Sequence, residues 1–301
     1  MKNEFRKVKI AHLVYIPMTG VGLYGGYRGD DWYAERAKIF KNYTIKSLQN
    51  QTNKNFILLI SFRPQEANHP ITKELAEYMQ ECGLEYILTF QGLMYHDDKY
   101  SKGFFNRFMN MGRVARGCYR TGNWKDLIPS MLEVYENKNA TLPQRLEIAL
   151  GQFEKYFRGA DYVYVTRVDS DDMFRKEAFS EILEQSPAEF EAFVRNKGFL
   201  YNKDTGRLAE WLPPTNPPFH TIVFKRNVFF DPKLHLLHMA GFRSHEDITR
   251  IFKTKQLSDY QYCILVDNSN QHISTIWEHP FRGKDLTDGT HEIMNEFGIK
   301  I

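Results

Sequence analysis

The chain has 301 residues, of which 42% are hydrophobic and 26% charged, so it can build the core of one large domain or of two closely fused halves. Its 40 basic and 37 acidic side chains give a net charge of +3, which is too small to indicate a nucleic-acid partner, and we expect none. No stretch approaches a transmembrane span, and the three widely spaced cysteines suggest neither a zinc site nor a disulfide framework, so we expect a cytoplasmic protein.

Apolar runs and helical segments alternate along the first half of the chain. Four runs are typical of strands buried in a parallel sheet, namely Val8 to Ile16, Phe56 to Phe62, Leu84 to Phe90 and Tyr162 to Val168. Between them we predict helices at 32–48, 70–82 and 142–157, the second of which precedes Gly83, a typical C-terminal signal. This alternation indicates a doubly wound α/β sheet, whose ligands bind beyond the carboxyl ends of the strands.

The pattern changes in the second half. Short strands punctuated by glycine and proline are predicted at 192–195, 199–201 and 221–224, which suggests a mixed sheet built onto the first half. The proline-rich stretch from Pro213 to Pro218 cannot be regular structure, and it predicts a stiff surface loop beside Trp211 and Phe219.

One segment is strongly basic. Residues 99–125 contain seven basic side chains and no acidic one, with aromatic side chains interleaved. A solvated connection is the simplest interpretation. The alternatives are a basic flap over a phosphate-bearing substrate and a patch that makes peripheral contact with an anionic membrane surface.

The most informative residues follow the fourth predicted strand, where Asp169, Asp171 and Asp172 come together. Carboxylates at the mouth of a buried strand are costly unless a positive group binds them. In an extended chain Asp169 and Asp171 point the same way, and such a pair can hold Mg²⁺ or Mn²⁺ together with the phosphates of a substrate. The alternative is a turn that caps a helix at about 173–183. No glycine and distal glutamate follow at the spacing that an EF-hand requires.

Residues Val165 to Met173 resemble the DxD segment of inverting glycosyltransferases with the GT-A fold, and are most similar to the rhamnosyltransferase-type family. Trp32 to Arg36, Phe40 and the run from Ser47 to Thr52 resemble the opening helix of that family. His245 to Arg250 is similar to its Glu-Asp motif, and Trp277 to His279 to its C-terminal histidine segment. The resemblance extends over most of Val8 to Arg282. It implies a mixed, mostly parallel sheet flanked by helices in a single large domain.

The resemblance also implies roles for the acidic residues. Asp169 would lie near the ribose of the nucleotide, while Asp171 binds the divalent metal with Asp172 in support. Asp247 would be the base that takes the proton of the acceptor hydroxyl, with Glu246 as its alternative. Either carboxylate could instead serve only to stabilise the start of a helix. His279 would meet the metal or the diphosphate.

The nucleotide-binding residues are less closely determined. In related folds the loops after the first two strands hold the base and ribose, here residues 17–29 and 61–65. We therefore count Ile16, Arg63 and Arg167 with Asp169 as nucleotide-sugar-binding residues, and Trp211 as an aromatic wall of the sugar pocket. Arg63 or Arg167 could instead pair with the aspartates. Many relatives have an aspartate after the second strand, whereas this chain has Ser61-Phe62-Arg63-Pro64.

The predicted function is therefore metal-dependent transfer of a sugar from a nucleotide sugar to a carbohydrate or glycoconjugate hydroxyl. Residues 1–172 would bind the nucleotide sugar and 173–301 the acceptor. A sugar-nucleotide nucleotidyltransferase is a second interpretation, although residues 20–29 contain only one cation, Arg28, where such an enzyme has a basic glycine-rich loop. The third is a nucleotide- or carbohydrate-binding protein without catalytic activity.

Overall fold

The computed structural model describes residues 8–19, 29–63, 66–90, 156–242, 245–266, 277–278 and 281–301, together with parts of 104–136. Within the described part of the chain no helix is both long and apolar enough to cross a membrane.

Seven strands form the larger sheet: β1 (Ile10–Pro17), β2 (Ile57–Ser61), β3 (Tyr86–Thr89), β4 (Tyr162–Arg167), β6 (Ala192–Val194), β9 (His220–Lys225) and β10 (Thr254–Gln256). Their order across the sheet is β10-β6-β9-β4-β1-β2-β3. Strand β9 runs antiparallel to its neighbours β4 and β6, and the remaining pairs are parallel. The sheet is therefore mixed but mostly parallel.

A second sheet contains five strands: β5 (Met173–Phe174), β7 (Gly198–Asn202), β8 (Arg207–Trp211), β11 (Tyr262–Val266) and β12 (Arg282–Asp285). Their order is β12-β8-β7-β11-β5. The second half of the chain thus contributes β9, β6 and β10 to the larger sheet and also forms a separate sheet.

The first helical segment comprises α1 (Asp30–Ile39), a π-helical turn at Phe40–Thr44 and α2 (Ile45–Gln49). The other helices are α3 (Pro70–Glu81), α4 (Leu127–Glu136), α5 (Ala178–Leu183), α6 (Arg226–Phe230), α7 (Pro232–His238), α8 (Ile248–Ile251) and α9 (Thr290–Glu296). Short 3₁₀ turns lie at Trp124–Asp126, His245–Asp247 and Thr287–Gly289.

The long apolar run of β1 is explained by its central position in the sheet. Alternate side chains of a strand point to opposite faces. Val14 and Ile16 pack with Phe40 on the face covered by α1 to α3, whereas Leu13 and Tyr15 belong to a second core on the opposite face. Because both faces are covered by helices, the strand is buried from Ala11 to Pro17. The predicted α/β fold class in a single domain is confirmed.

Two sequence predictions need comment. The helix expected at 142–157 lies outside the described residues except for its last two positions. The alternative of a helix over 173–183 capped by an aspartate of the acidic cluster is wrong: Met173–Phe174 pairs with β11, and α5 begins at Ala178 with Glu177 at its N-cap.

Candidate functional site

The acidic cluster (Asp169, Asp171 and Asp172) lies where β4 ends beside the end of β1. The Val168 amide donates to the Tyr15 carbonyl at 3.1 Å, and the Ser170 hydroxyl donates to the Met18 carbonyl at 3.2 Å. The Asp172 amide donates to the Asp169 carbonyl at 3.1 Å and closes a turn. The carboxylates are therefore attached to the carboxyl ends of two central parallel strands, the place where α/β proteins bind ligands.

Asp169 is engaged by the last residue of β4. The Arg167 side chain donates from Nε and Nη2 to Asp169 Oδ1, at 3.1 and 2.9 Å. Arg167 is buried while Asp169 keeps about a third of its side chain exposed, 31%. The Asp169 carboxylate is therefore partly open to solvent, and the buried Arg167 guanidinium holds it in place from the protein side.

Asp171 forms an ion pair with Arg36 of α1. Tyr33, Arg36, Ala37 and Phe40 occupy one buried face of that helix, so the arginine projects into the interior. Its guanidinium also lies 5.3 Å from the centre of the Trp32 ring. The positive charge that the acidic cluster requires is thus supplied in part by the chain itself.

Asp172 is the most deeply buried of the three carboxylates, with 4% of its surface exposed. It lies against β11, where its Oδ1 accepts a hydrogen bond from the Leu265 amide at 3.3 Å. Burial raises the pKa of Asp172 well above its usual range, and the neighbouring Asp171 and Asp169 carboxylates raise it further, whereas the Leu265 amide and Arg36 oppose the shift.

A divalent metal was predicted at Asp171 and Asp172. Carboxylate oxygens are the donors that Mg²⁺ and Mn²⁺ prefer, so the residues fit such an ion in kind. Among the described residues, no three acidic, histidine or cysteine side chains converge closely enough to hold a metal by themselves. Substrate phosphates would have to complete the coordination, and Arg36 would have to share Asp171.

The predicted Glu-Asp segment forms the 3₁₀ turn His245–Asp247. The His245 Nδ1–H donates to the Asn216 carbonyl in the proline-rich loop, which leaves Nε2 as an acceptor. Burial lowers the pKa of His245; Arg167 lowers it further, while Asn216, Asp169 and Glu246 oppose the shift. The charges of Arg167 and Asp169 therefore reach His245, although Asp169 and His245 are 76 positions apart in the sequence.

The two carboxylates of this segment have different environments. Asp247 Oδ1 accepts from Arg250 Nη2 at 2.6 Å, and the Asp247 side chain is 21% exposed. Glu246 lines a cavity of about 560 Å³. The other lining residues are Asn196, Lys197, Leu212, Pro213, Pro214, Thr215, Asn216 and Thr249. The cavity has the size of an ordinary small-molecule site, and we name it the acceptor-side cavity after the role that was predicted for residues 173–301.

Three other predicted residues are buried. Ile16, Arg63 and Trp211 are 0%, 1% and 9% exposed, and Ile16 and Trp211 belong to the main core. The Arg63 amide donates to Glu66 Oε2 at 2.9 Å. His279 lies outside the described residues, as do 20–28 of the predicted nucleotide loop and most of the basic segment 99–125.

Three residues at the site were not identified from the sequence. An arginine on the buried face of an amphipathic helix needs a carboxylate partner, so the position of Arg36 was a usable signal. Asn216 and Thr249, whose side chains are linked at 3.1 Å, join the proline-rich loop to α8. Such a loop-to-helix contact leaves no local pattern in the sequence.

Comparisons with known proteins give distant likenesses. No protein-family model and no curated protein matches the sequence. Among solved structures, the chain is similar to a Desulfovibrio desulfuricans G20 protein provisionally named a nucleotide-diphospho-sugar transferase, with 12% identity, a TM-score of 0.34 and coverage of 97% of each chain. It is also similar to a Bacillus anthracis protein provisionally named a glucose-1-phosphate thymidylyltransferase and crystallised with sucrose, with 11% identity, a TM-score of 0.32 and coverage of 89% and 93%. These likenesses assign no activity to this chain.

Proposed function

We propose that the protein is a glycosyltransferase that moves a sugar from a nucleotide sugar to a carbohydrate or glycoconjugate hydroxyl, with inversion at the anomeric carbon. One observation carries the proposal: Arg167 binds Asp169 of the acidic cluster, and the charges of both residues shift the pKa of His245, so the His245–Asp247 turn lies near the cluster. A transferase needs a group that holds the leaving diphosphate and a carboxylate that takes the acceptor proton. The two acidic segments have the chemistry for these two tasks.

On the donor side, Asp169 is placed to accept from a ribose hydroxyl, because part of its carboxylate remains exposed while Arg167 fixes its orientation. The Arg167 and Arg36 guanidinium groups supply fixed positive charge near the position proposed for the diphosphate. A bound Mn²⁺ or Mg²⁺ at Asp171 and Asp172 would neutralise charge on the departing diphosphate. Arg167 holds Asp169, and Arg36 holds Asp171, in place before the donor arrives.

On the acceptor side, Asp247 is the proposed base and Glu246 the alternative. Glu246 borders the acceptor-side cavity, whereas Asp247 is held by Arg250. The amide side chain of Asn216 and the hydroxyl of Thr249 line the same cavity and can donate to or accept from sugar hydroxyls. The cavity thus offers a polar wall beside a carboxylate.

The donor half of the proposal is tested by binding. Nucleoside diphosphates and nucleotide sugars are screened by thermal shift with Mn²⁺, with Mg²⁺ and with EDTA. We expect at least one metal-dependent ligand, and we expect Asp171→Asn to lose it while the exposed control Asp288→Asn keeps it. The absence of any metal-dependent ligand would overturn the proposed function. Full manganese-dependent binding by Asp171→Asn would overturn the metal assignment.

The acceptor half is tested by comparing Asp247→Asn with Glu246→Gln, since each exchanges a carboxylate for an amide of similar shape. Loss of the base should lower the transfer rate by about 10²- to 10⁴-fold while donor binding stays unchanged. The variant with this loss identifies the base. If both variants transfer sugar at the wild-type rate, neither carboxylate is the base.

A binding protein without catalytic activity is the second candidate, and the ion pairs favour it. Arg36 holds Asp171 and Arg250 holds Asp247, so both proposed acidic groups already have partners. In that case nucleotide would bind, no donor would be consumed, and Asp247→Asn would leave function intact. Turnover of any nucleotide sugar that depends on Asp247 or Glu246 would exclude this candidate.

A further inference from the structure

A second cavity lies against the first helical segment and shares no lining residue with the acidic cluster. Its volume is about 630 Å³. Three separate parts of the chain build it: the helical segment α1 to α2, the turn after β7 and residues 298–300. The residues that line this lysine cavity are Glu35, Lys38, Ile39, Asn42, Tyr43, Lys46, Lys203, Gly298, Ile299 and Lys300.

Positive charge dominates the walls of the lysine cavity, because four lysines face one carboxylate. Glu35 lies 3.3 Å from Lys203 Nζ and 4.0 Å from Lys38 Nζ, so it is shared between two of them, and Lys203 also pairs with Asp204 at 2.9 Å. Lys46 and Lys300 form no ion pair with any carboxylate in the described part of the chain. Like charges gathered in one concave site repel each other unless an anion enters.

The floor of the lysine cavity is buried and apolar. Ile39 and Ile299 are 1% and 6% exposed and belong to one core cluster, which Tyr43 packs against. Gly298 permits the backbone to pass close to Asn50 at the end of α2, since its φ is +76° and a Cβ there would lie 2.7 Å from the Asn50 Cβ. Ile299 and Lys300 follow Gly298 directly and line the lysine cavity together with the helical segment.

We propose that the lysine cavity binds a small molecule carrying a diphosphate or several phosphate groups. A lysine ammonium recognises phosphate as a point charge, and several around one cavity suit an anion with more than one negative charge. The volume admits a ligand of nucleotide size. The Asn42 side chain and the Tyr43 hydroxyl add polar groups beside the lysines. The same phosphate chemistry occurs in a free anion such as pyrophosphate and in a nucleotide.

Calorimetric titration of the intact protein with pyrophosphate in the presence of EDTA tests the proposal. EDTA removes the metal that the proposed donor site requires, so the two sites are distinguished. We expect saturable binding that weakens with salt, and a loss of at least about tenfold in affinity in the double variant Lys46→Gln/Lys300→Gln. The control Lys233→Gln/Lys284→Gln changes two exposed lysines elsewhere and should bind like wild type.

Asp171→Asn should also retain this binding, which separates the lysine cavity from the proposed function. Competition by nucleoside diphosphates would identify a nucleotide as the ligand, and its absence would identify the free anion; either result supports phosphate recognition. Equal affinity in Lys46→Gln/Lys300→Gln and in the control pair would overturn the proposal. No detectable binding of pyrophosphate by wild type would overturn it as well.

Discussion

The ion pair between Arg36 and Asp171 is open to a direct test by Arg36→Met. Methionine keeps much of the side-chain volume and removes the charge, so the carboxylates of the acidic cluster lose their buried counter-charge. Breaking a buried ion pair costs about 3–5 kcal/mol. Because Asp171 keeps 14% of its side chain exposed to solvent, we expect the lower end, about 3 kcal/mol of unfolding free energy.

The cost should depend on pH, and its sign follows from Asp172. Burial and the other two aspartates raise the pKa of Asp172 while Arg36 lowers it, so Arg36→Met should raise this pKa further. A carboxyl whose pKa is raised by folding contributes stability that is complete below its unfolded pKa and is lost as pH rises through the folded value. The stability that Arg36→Met loses relative to wild type should therefore be small at about pH 4 and larger at about pH 7.

Denaturant unfolding of wild type and variant across this pH range measures the effect. Arg207→Met is the matched control, because Arg207 and Asp285 form a pair at 2.6 Å that is 45% and 42% exposed. Such an exposed pair contributes about 0–1 kcal/mol. If the acidic cluster binds Mn²⁺, added Mn²⁺ should recover part of the stability that Arg36→Met loses. A cost no larger than that of the control, or one that shrinks toward neutral pH, would refute this account.

Two further predictions concern packing and charge away from the site. Glu181→Gln should cost about 2 kcal/mol, because the Arg195 guanidinium, 2.6 Å away and 2% exposed, would lose its carboxylate; Glu184→Gln on the same helix should cost almost nothing. Burial raises the pKa of Glu181, but Arg195 and the hydrogen bonds from Ser258 together outweigh it, so the net pKa is lowered. The contribution of the pair should therefore be present above about pH 4.5 and lost in acid. Gly198→Ala should cost about 1–3 kcal/mol by denaturant unfolding, because a Cβ would overlap the Tyr262 ring, and wild-type stability would contradict the close packing.

Much of the larger sheet could be predicted, because buried parallel strands leave continuous apolar runs. The four predicted strands correspond to β1, β2, β3 and β4, within two residues at each end. Gly83 was a usable helix-end signal, since it follows α3 with a φ of +74°. These features depend on local composition and local backbone conformation, which a single sequence carries.

Strand order could not be predicted in the same way. The run His220–Lys225 has the composition of a parallel strand, yet it inserts antiparallel between β4 and β6. Its direction is set by which edges remain open after β1 to β4 have paired, and a local pattern does not contain that information. The separate five-stranded sheet depends on equally distant pairings, such as Cys263 with Phe199.

At the candidate site, the sequence identified the acidic groups and offered Arg167 as a possible partner of them, but it did not identify Arg36. A positive group was expected beside the acidic cluster on electrostatic grounds, and a divalent metal was the predicted one. The structure places Arg36 and Arg167 there, one of them from a helix 135 residues before Asp171. Residue type determines that a counter-charge is needed, whereas the fold determines which group provides it.

The central claim is that the two acidic segments act together in sugar transfer. The most direct test measures release of nucleoside diphosphate from a panel of nucleotide sugars, with and without a pool of carbohydrate acceptors, for wild type, Asp171→Asn and Asp247→Asn. We predict metal-dependent release from at least one donor, stimulated by acceptor and reduced about 10²-fold or more in both variants. Donor binding without release in wild type, or release that neither variant reduces, would contradict the account.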